Sequence, residues 1–125
     1  MAIGRLTTDE SIKPLSGAIV RRYQAGATIA AGEVVSMSSD GKIDPADTTS
    51  AAATVVGVAL TDGVDTQYID VVVHGPVLCI EGGTPGATAH ASDTAGEPAE
   101  SAGSNAGILG FVETAAIIFV RPVHA

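Results

Sequence analysis

Residues 32–40 read GEVVSMSSD and lead, through a polar and alanine-rich stretch, to VVGV at residues 55–58. The arrangement returns as GATAHASD at residues 86–93, which leads in the same way to ILGF at residues 108–111. In both copies the aspartate that ends the first piece lies 17 residues before the glycine of the second. The order and spacing of these pieces indicate an internal duplication.

Each copy also closes on an apolar run that ends in proline and valine, VVVHGPV at residues 71–77 and IIFVRPV at residues 117–123. Runs rich in β-branched residues favour strands. The duplication therefore predicts two strand-turn-strand units, over about residues 26–80 and 81–123. No repeated position has the pattern of a reaction centre, which points to a structural or binding module.

The whole chain carries short β-rich runs separated by glycine and proline at intervals of about ten residues. This spacing predicts an all-β fold, a compact barrel or sandwich, and leaves those two open. Asp40-Gly41, between Val34–Met37 and Lys42-Ile43, predicts a hairpin with a two-residue turn. Residues 46–53 are compatible with one helical turn, and we expect residues 94–105 to form a surface loop that tolerates change.

The first residues differ from the rest in pattern and charge. Residues 1–17 lack periodicity and contain Pro14 and Gly17, which predicts an extended N-terminal arm before a β-domain at residues 18–125. Residues 1–25 carry a net charge of +2, whereas residues 26–125 carry −10, which together give the chain's −8. The acidic balance argues against nucleic acid as a partner, because phosphate contacts need clustered lysine and arginine.

The composition predicts an aliphatic core, because only 3% of the residues are aromatic and tryptophan is absent. Cys79, the single cysteine, lies in an apolar run and is interpreted as a buried core residue that can form no internal disulfide. No charged-then-apolar leader is apparent, and the longest apolar run, residues 115–120, is too short to cross a bilayer. We therefore expect synthesis in a cytoplasm and no membrane association.

Motifs that would signal catalysis, a metal or a cofactor are weak. The three histidines share no ligand spacing, and Asp40, Asp44 and Asp47 depart from the calcium-loop pattern. Neither a Gly-x-Ser-x-Gly elbow nor a phosphate-binding loop is present. The sequence predicts a protein that is not an enzyme and uses no metal or cofactor.

The ordered pieces resemble the small decoration proteins of tailed bacteriophage capsids, also called head-stabilising or cement proteins. The likeness spans roughly residues 25–123, including the second copy. It is carried by AGEVV at 31–35, DGKI at 40–43, VVGVAL at 55–60 and VVHGPV at 72–77.

The resemblance implies a mostly β, non-enzymatic protein on the outer face of an icosahedral virion. Such proteins clasp neighbouring major capsid subunits, commonly as homotrimers at threefold positions, and an N-terminal arm often adds a strand to the capsid protein. The implied partners are therefore the major capsid protein and further copies of this chain. By position, charge and apolar character, the expected capsid contacts are Arg5, Ile12, Lys13, Leu15, Ile19, Arg21 and Arg22.

Two other classes of function remain as alternatives. A carbohydrate- or host-surface-binding module displayed on a particle would need exposed aromatic side chains on one face, and the chain has four aromatic residues in all. A small β-barrel hydrolase would need titrating residues gathered in a cleft.

Overall fold

The fold is all-β, as the sequence predicts. The computed structural model describes the backbone of residues 4–5 and 12–123 and the side chains of residues 12–122. None of these residues is helical, so the helical turn expected at residues 46–53 is wrong, and that segment is an irregular loop. The strands are β1 (Gly4–Arg5), β2 (Lys13–Pro14), β3 (Ile19–Gln24), β4 (Val34–Met37), β5 (Ile43–Pro45), β6 (Val55–Ala59), β7 (Tyr68–Leu78), β8 (Ile80–Glu81), β9 (Thr88–Ala91), β10 (Pro98–Ala99), β11 (Ile108–Thr114) and β12 (Ile117–Val123).

Ten of the described strands form one curled antiparallel sheet, a half-barrel. Its order is β10-β9-β11-β12-β7-β6-β4-β5, with β2 and β3 also paired to β7, while β1 pairs with β8. Counted inwards from each end of the sheet, the strands follow in the same order. β5-β4-β6-β7 of the first copy is matched by β10-β9-β11-β12 of the second. The duplication seen in the sequence is therefore present in the strand order.

The register repeats as well. In both copies the ladder skips one residue at the same place, Val56 in β6 and Leu109 in β11. Three residue pairs between β4 and β6 correspond to three between β9 and β11. Val34–Val58 corresponds to Thr88–Phe111, Val35–Gly57 to Ala89–Gly110, and Ser36–Val55 to His90–Ile108. A repeated bulge at a repeated position indicates one structural unit used twice.

One glycine in each copy allows two strands to approach closely. A Cβ at Gly57 would overlap the carbonyl oxygen of Val72, and a Cβ at Gly110 would overlap the carbonyl oxygen of Phe119. Val72 and Phe119 are themselves equivalent, because each is the partner of the residue that follows the glycine. The glycines that mark the duplication in the sequence are therefore required by packing.

We predict that Gly57→Ala and Gly110→Ala each lower the free energy of unfolding by about 3 kcal/mol or more, because the added methyl group must displace a backbone carbonyl. Denaturant unfolding of the purified variants measures this loss. Gly86→Ala is the control, because its Cβ would meet open space. Its cost should be only that of a positive φ, about 1–2 kcal/mol, and equal losses at all three positions would contradict the argument.

β7 is the central strand and has partners along both edges. Its first half pairs with β3 and β6, and its second half with β2 and β12. The backbone carbonyl of Asp70 accepts a hydrogen bond at 2.8 Å from the N–H of Leu60, the residue just after β6. The backbone carbonyl of Pro76 accepts one at 3.0 Å from the N–H of Leu15, the residue just after β2. The register shift opposite Ile19 and Val20 leaves Val73 as an extra residue in β7, which reverses the alternation of backbone groups between the two halves of the strand. β2 and β3 therefore share one edge of β7, and β6 and β12, which lie close together, share the other.

The segment between β2 and β3 runs along their shared edge and packs against β7 at Gly75. A Cβ there would lie 2.8 Å from Ala18 Cα and 2.9 Å from the Gly17 carbonyl oxygen. Gly75 also has a φ of 107°, which disfavours any side chain. The absence of a side chain at this point lets residues 17–18 pack directly against the strand.

The buried side chains form two clusters on opposite faces of the sheet. Adjacent strand residues divide between them, with Val72 in the larger cluster and Val71 in the smaller. A bridge between Ala25 and Ile43 joins the end of β3 to β5 around the smaller cluster. The described core contains no aromatic side chain, which confirms the aliphatic core predicted from composition.

The β4–β5 hairpin is confirmed, but the two-residue turn is wrong. Ser38 N–H donates to the Lys42 carbonyl at 2.9 Å, which leaves three residues in the loop. Only Gly41 has a positive φ, 82°, because a type I turn followed by one left-handed residue also reverses the strand. Asp40 instead accepts a hydrogen bond from Lys42 N–H at 2.9 Å.

The loop after β9 is more constrained than the sequence suggests. Gly96 and Pro98 are buried, and β10 pairs with β9. Asp93 joins the loops of the two copies, because its carboxylate accepts hydrogen bonds from Ser104 N–H at 2.9 Å and from Thr48 Oγ1 at 2.7 Å. The hydrogen bonds from Ser104 and then Thr48 lower the pKa of Asp93.

We predict that Asp93→Asn destabilises the fold at neutral pH and that this difference shrinks in acid. A carboxyl group whose pKa is lowered by folding stabilises the native state while ionised. The stabilisation is lost as pH falls from the ordinary carboxyl pKa of about 3.9 through the lowered folded-state value. Urea unfolding at a series of pH values measures it.

Asp65→Asn is the matched control for that series, because Asp65 is exposed and makes only a 4.0 Å contact with Lys42. An Asp93→Asn deficit that stays constant from pH 7 to pH 2.5 would contradict the role assigned to the ionised carboxylate.

Candidate protein-binding surface

An exposed row of apolar and aromatic side chains crosses four strands. We call it the aromatic face, and it consists of Ile19, His74, Pro76, Phe111 and Phe119. The rings of Phe111 and Phe119 stack at 5.2 Å and 13°, and His74 meets Phe119 edge-on at 5.3 Å and 82°. Ile19 is 54% exposed and Phe111 40% exposed. The face holds both phenylalanines of the chain.

Strand register places these residues together. Ile19 pairs with His74, Pro76 with Phe119, and Phe119 with Phe111. Directly opposite residues of antiparallel strands point to the same face of a sheet, so the partners form one continuous row. The neighbours Val112 and Ile118 point to the other face and are buried in the larger core cluster.

The duplication indicates that this row is a core face left open. Phe111 and Phe119 occupy the register positions that Val58 and Val72 occupy in the first copy. Val58 and Val72 are fully buried. The two copies therefore turn opposite faces of the same unit towards the larger core, and the second copy leaves exposed the face that the first copy buries. Exposed apolar patches of this kind mark sites of protein association.

Positive charge gathers beside the aromatic face. Of the five cationic side chains in the described region, four lie on β2, β3 and β12: Lys13, Arg21, Arg22 and Arg121. These strands carry no acidic residue. Arg22 pairs with Asp70 at 3.2 Å, whereas Arg21 lies 5.6 Å from the centre of the Tyr23 ring. One side of a strongly acidic chain is therefore cationic and apolar.

The residues expected to contact a capsid lie in different environments. Lys13, Ile19, Arg21 and Arg22 are exposed on β2 and β3 and border or belong to the aromatic face. Leu15 is half-buried in the segment between β2 and β3, with its N–H bonded to the carbonyl oxygen of Pro76.

Of the other two expected contacts, Ile12 needs a correction and Arg5 lies partly outside the described residues. Ile12 is only 7% exposed and packs into the larger core, so its side chain supports the fold and is not presented to a partner. Arg5 lies in β1, where its backbone pairs with Ile80, and its side chain is outside the described residues. Residues 1–3 and 6–11 of the expected arm are also outside them, whereas residues 4–5 and 13–14 pair with the β-domain.

Sequence reasoning missed the two phenylalanines and His74 as surface residues. The available signal was the duplication, which places Phe111 and Phe119 opposite each other as the counterparts of a valine pair. The alignment by itself would have predicted that both phenylalanines are buried, as the valines are. That prediction would have been wrong, because the two copies turn different faces towards the core.

Cys79 is 1% exposed, as predicted, and burial raises the pKa of its thiol to about 12. Among residues 12–122, no three His, Cys, Asp or Glu side chains are grouped so as to hold a metal ion. No helix in the described part of the chain could span a membrane. No protein-family model and no curated protein matches the chain.

We predict that Gly75→Ala displaces residues 15–18, the segment between β2 and β3. The Cβ would meet the backbone of residues 17–18, and φ would stay strained, so we expect a loss of roughly 3 kcal/mol or more in unfolding free energy. Hydrogen exchange should accelerate at Leu15 and Ala18, whose N–H groups are bonded in this segment. Gly17→Ala, with φ 94° and open space around its Cβ, is the control. Equal effects of the two substitutions would contradict the close packing of residues 17–18 on Gly75.

Proposed function

We propose that this protein decorates the outer surface of an icosahedral phage capsid and stabilises it by clamping neighbouring major capsid subunits. The observation that carries the proposal is the aromatic face, an apolar row that the first copy buries and the second exposes. The order of sequence pieces across residues 25–123, which resembles capsid decoration proteins, supports the same function.

The geometry suits weak, repeated attachment. Covering a large apolar side chain contributes roughly 1.5–3 kcal/mol when burial is complete, and Phe111 and Ile19 are each only about half exposed. A single site would therefore be modest in affinity. Copies joined as homotrimers and arrayed over a shell would bind through several such faces at once, which raises the total stabilisation steeply.

Charge supports an acidic partner surface. The cationic side chains of Lys13, Arg21 and Arg121 border the aromatic face without a described carboxylate on their strands. A partner that places carboxylates around an apolar contact would complement this rim and would be steered towards it.

Binding to carbohydrate is the second candidate, favoured by the exposed ring of Phe111. Sugars bind on the open faces of aromatic rings, but Phe111 and Phe119 turn one face each towards the other. The remaining open aromatic area is small, so we favour a protein lattice as the partner.

The test is co-sedimentation of the purified chain with undecorated capsid shells of the phage that encodes it. We expect Phe111→Ser to reduce shell occupancy at least tenfold, because it removes the most exposed ring of the aromatic face. Tyr68→Ser is the matched control, because Tyr68 is 65% exposed and lies outside that face. Its occupancy should equal that of the natural chain.

Circular dichroism and thermal unfolding of both variants establish that they are folded. Failure of the natural chain to bind any shell, combined with specific retention on a glycan array, would replace the proposal with the carbohydrate alternative. Equal binding by the Phe111 variant and the natural chain would remove the aromatic face as the contact.

A further inference from the structure

We infer that the outer edge of β3 binds an extended, acidic segment of a partner protein as an additional β-strand. The inference rests on the proposed function, since the segment would belong to the capsid lattice, and it names the structural element through which the lattice is held. β3 covers Ile19–Gln24 and pairs with β7 alone among the described strands, so its second edge is open.

The hydrogen bonds show which backbone groups are free to bind. Ala25 N–H donates to the carbonyl oxygen of Gln67 at 2.8 Å, and the carbonyl oxygen of Ala25 accepts from Thr66 N–H at 2.8 Å. The backbone groups of Ala25, an odd-numbered residue, therefore point towards the chain that leads into β7. Gly26 N–H points the other way and donates to Ile43 at 2.7 Å. Because backbone direction alternates along a strand, Val20 and Arg22 direct their N–H and C=O groups outward.

The open edge has defined ends. The Gly26–Ile43 hydrogen bond closes it at one end, and a register shift between Ile19 and Val20 marks the other. The intervening length suits a short strand of about five residues. Addition of a strand to an exposed edge is a common mode of peptide recognition, in which the backbone supplies the affinity and the side chains the specificity.

Side chains beside the edge define the chemistry of the bound strand. Val20 is 41% exposed, and its face of β3 also carries Arg22, whose guanidinium is held by Asp70. The opposite face carries Arg21, which makes no ion pair with a described residue. A complementary strand therefore alternates, with apolar side chains beside Val20 and carboxylates beside Arg21.

The same charges argue against a second copy of this chain as the occupant. Two β3 edges paired with each other would bring two pairs of adjacent arginines together, and like charges opposite each other destabilise a strand pair. Cationic side chains on an edge strand commonly prevent such self-pairing. An acidic strand removes this repulsion, so the edge selects its partner by charge.

The test uses the ¹⁵N-labelled full chain and a capped heptapeptide of alternating valine and glutamate. We expect saturable shifts of the Val20 and Arg22 amides and at least tenfold slower hydrogen exchange at both. A lysine-for-glutamate peptide and a backbone N-methylated peptide should each bind at least tenfold more weakly. The inference is overturned by no response, by an equal response to the lysine peptide, or by shifts centred on another strand.

A substitution in the protein gives a second measurement. Val20→Pro removes an outward N–H that β7 does not use, so the ladder stays intact and peptide affinity should fall at least tenfold. Val20→Thr keeps the N–H and a β-branched side chain, and should bind as the natural chain does. Should the proline variant fail to fold, the peptide comparison on the natural chain still decides the question.

Shell binding separates this inference from the proposed function. If Val20→Pro is folded and coats shells as well as the natural chain, β3 is not the attachment edge, although decoration of capsids stands. If the acidic peptide binds at β3 but the chain coats no shell, the strand site stands and the capsid function falls.

Discussion

The pairing of β7 on both of its edges is the constraint on which the rest of the structure depends. Its backbone groups bind β2 and β3 on one edge and β6 and β12 on the other. Each half of the molecule is therefore hydrogen-bonded to the same 11-residue strand. The segment between β2 and β3 packs directly against this strand, at the point where Gly75 leaves room for the backbone of residues 17–18.

The duplication accounts for both the fold and the exposed aromatic face. The two copies share strand order, register, bulge and close-approach glycine, but they turn opposite faces towards the larger core. The row that holds Val58 and Val72 in the first copy is buried, and the same row in the second copy carries Phe111 and Phe119 at the surface. A face built to pack is thereby available to a partner, without any separate domain.

Charge is distributed unevenly over the molecule. Acidic side chains predominate over residues 26–125, whereas β2, β3 and β12 carry only cations among their charged residues. Cys79, the one thiol, is held in its neutral form by burial. In the proposed function, the exposed apolar side chains and the open edge of β3 would provide contact area and backbone hydrogen bonds, and the charges would provide selectivity.

The sequence by itself determined the all-β class, the duplication, the aliphatic core and the β4–β5 hairpin, because alternation, glycine and the lack of aromatic residues act locally. Only the tertiary structure decided that Ile12 is a core residue, that the Asp40-Gly41 hairpin has a three-residue loop, and that Phe111 is exposed. A strand pattern specifies two faces, but long-range pairing decides which of them is buried. That choice differs between two copies with the same pattern, so no local reading of either copy could have found the surface.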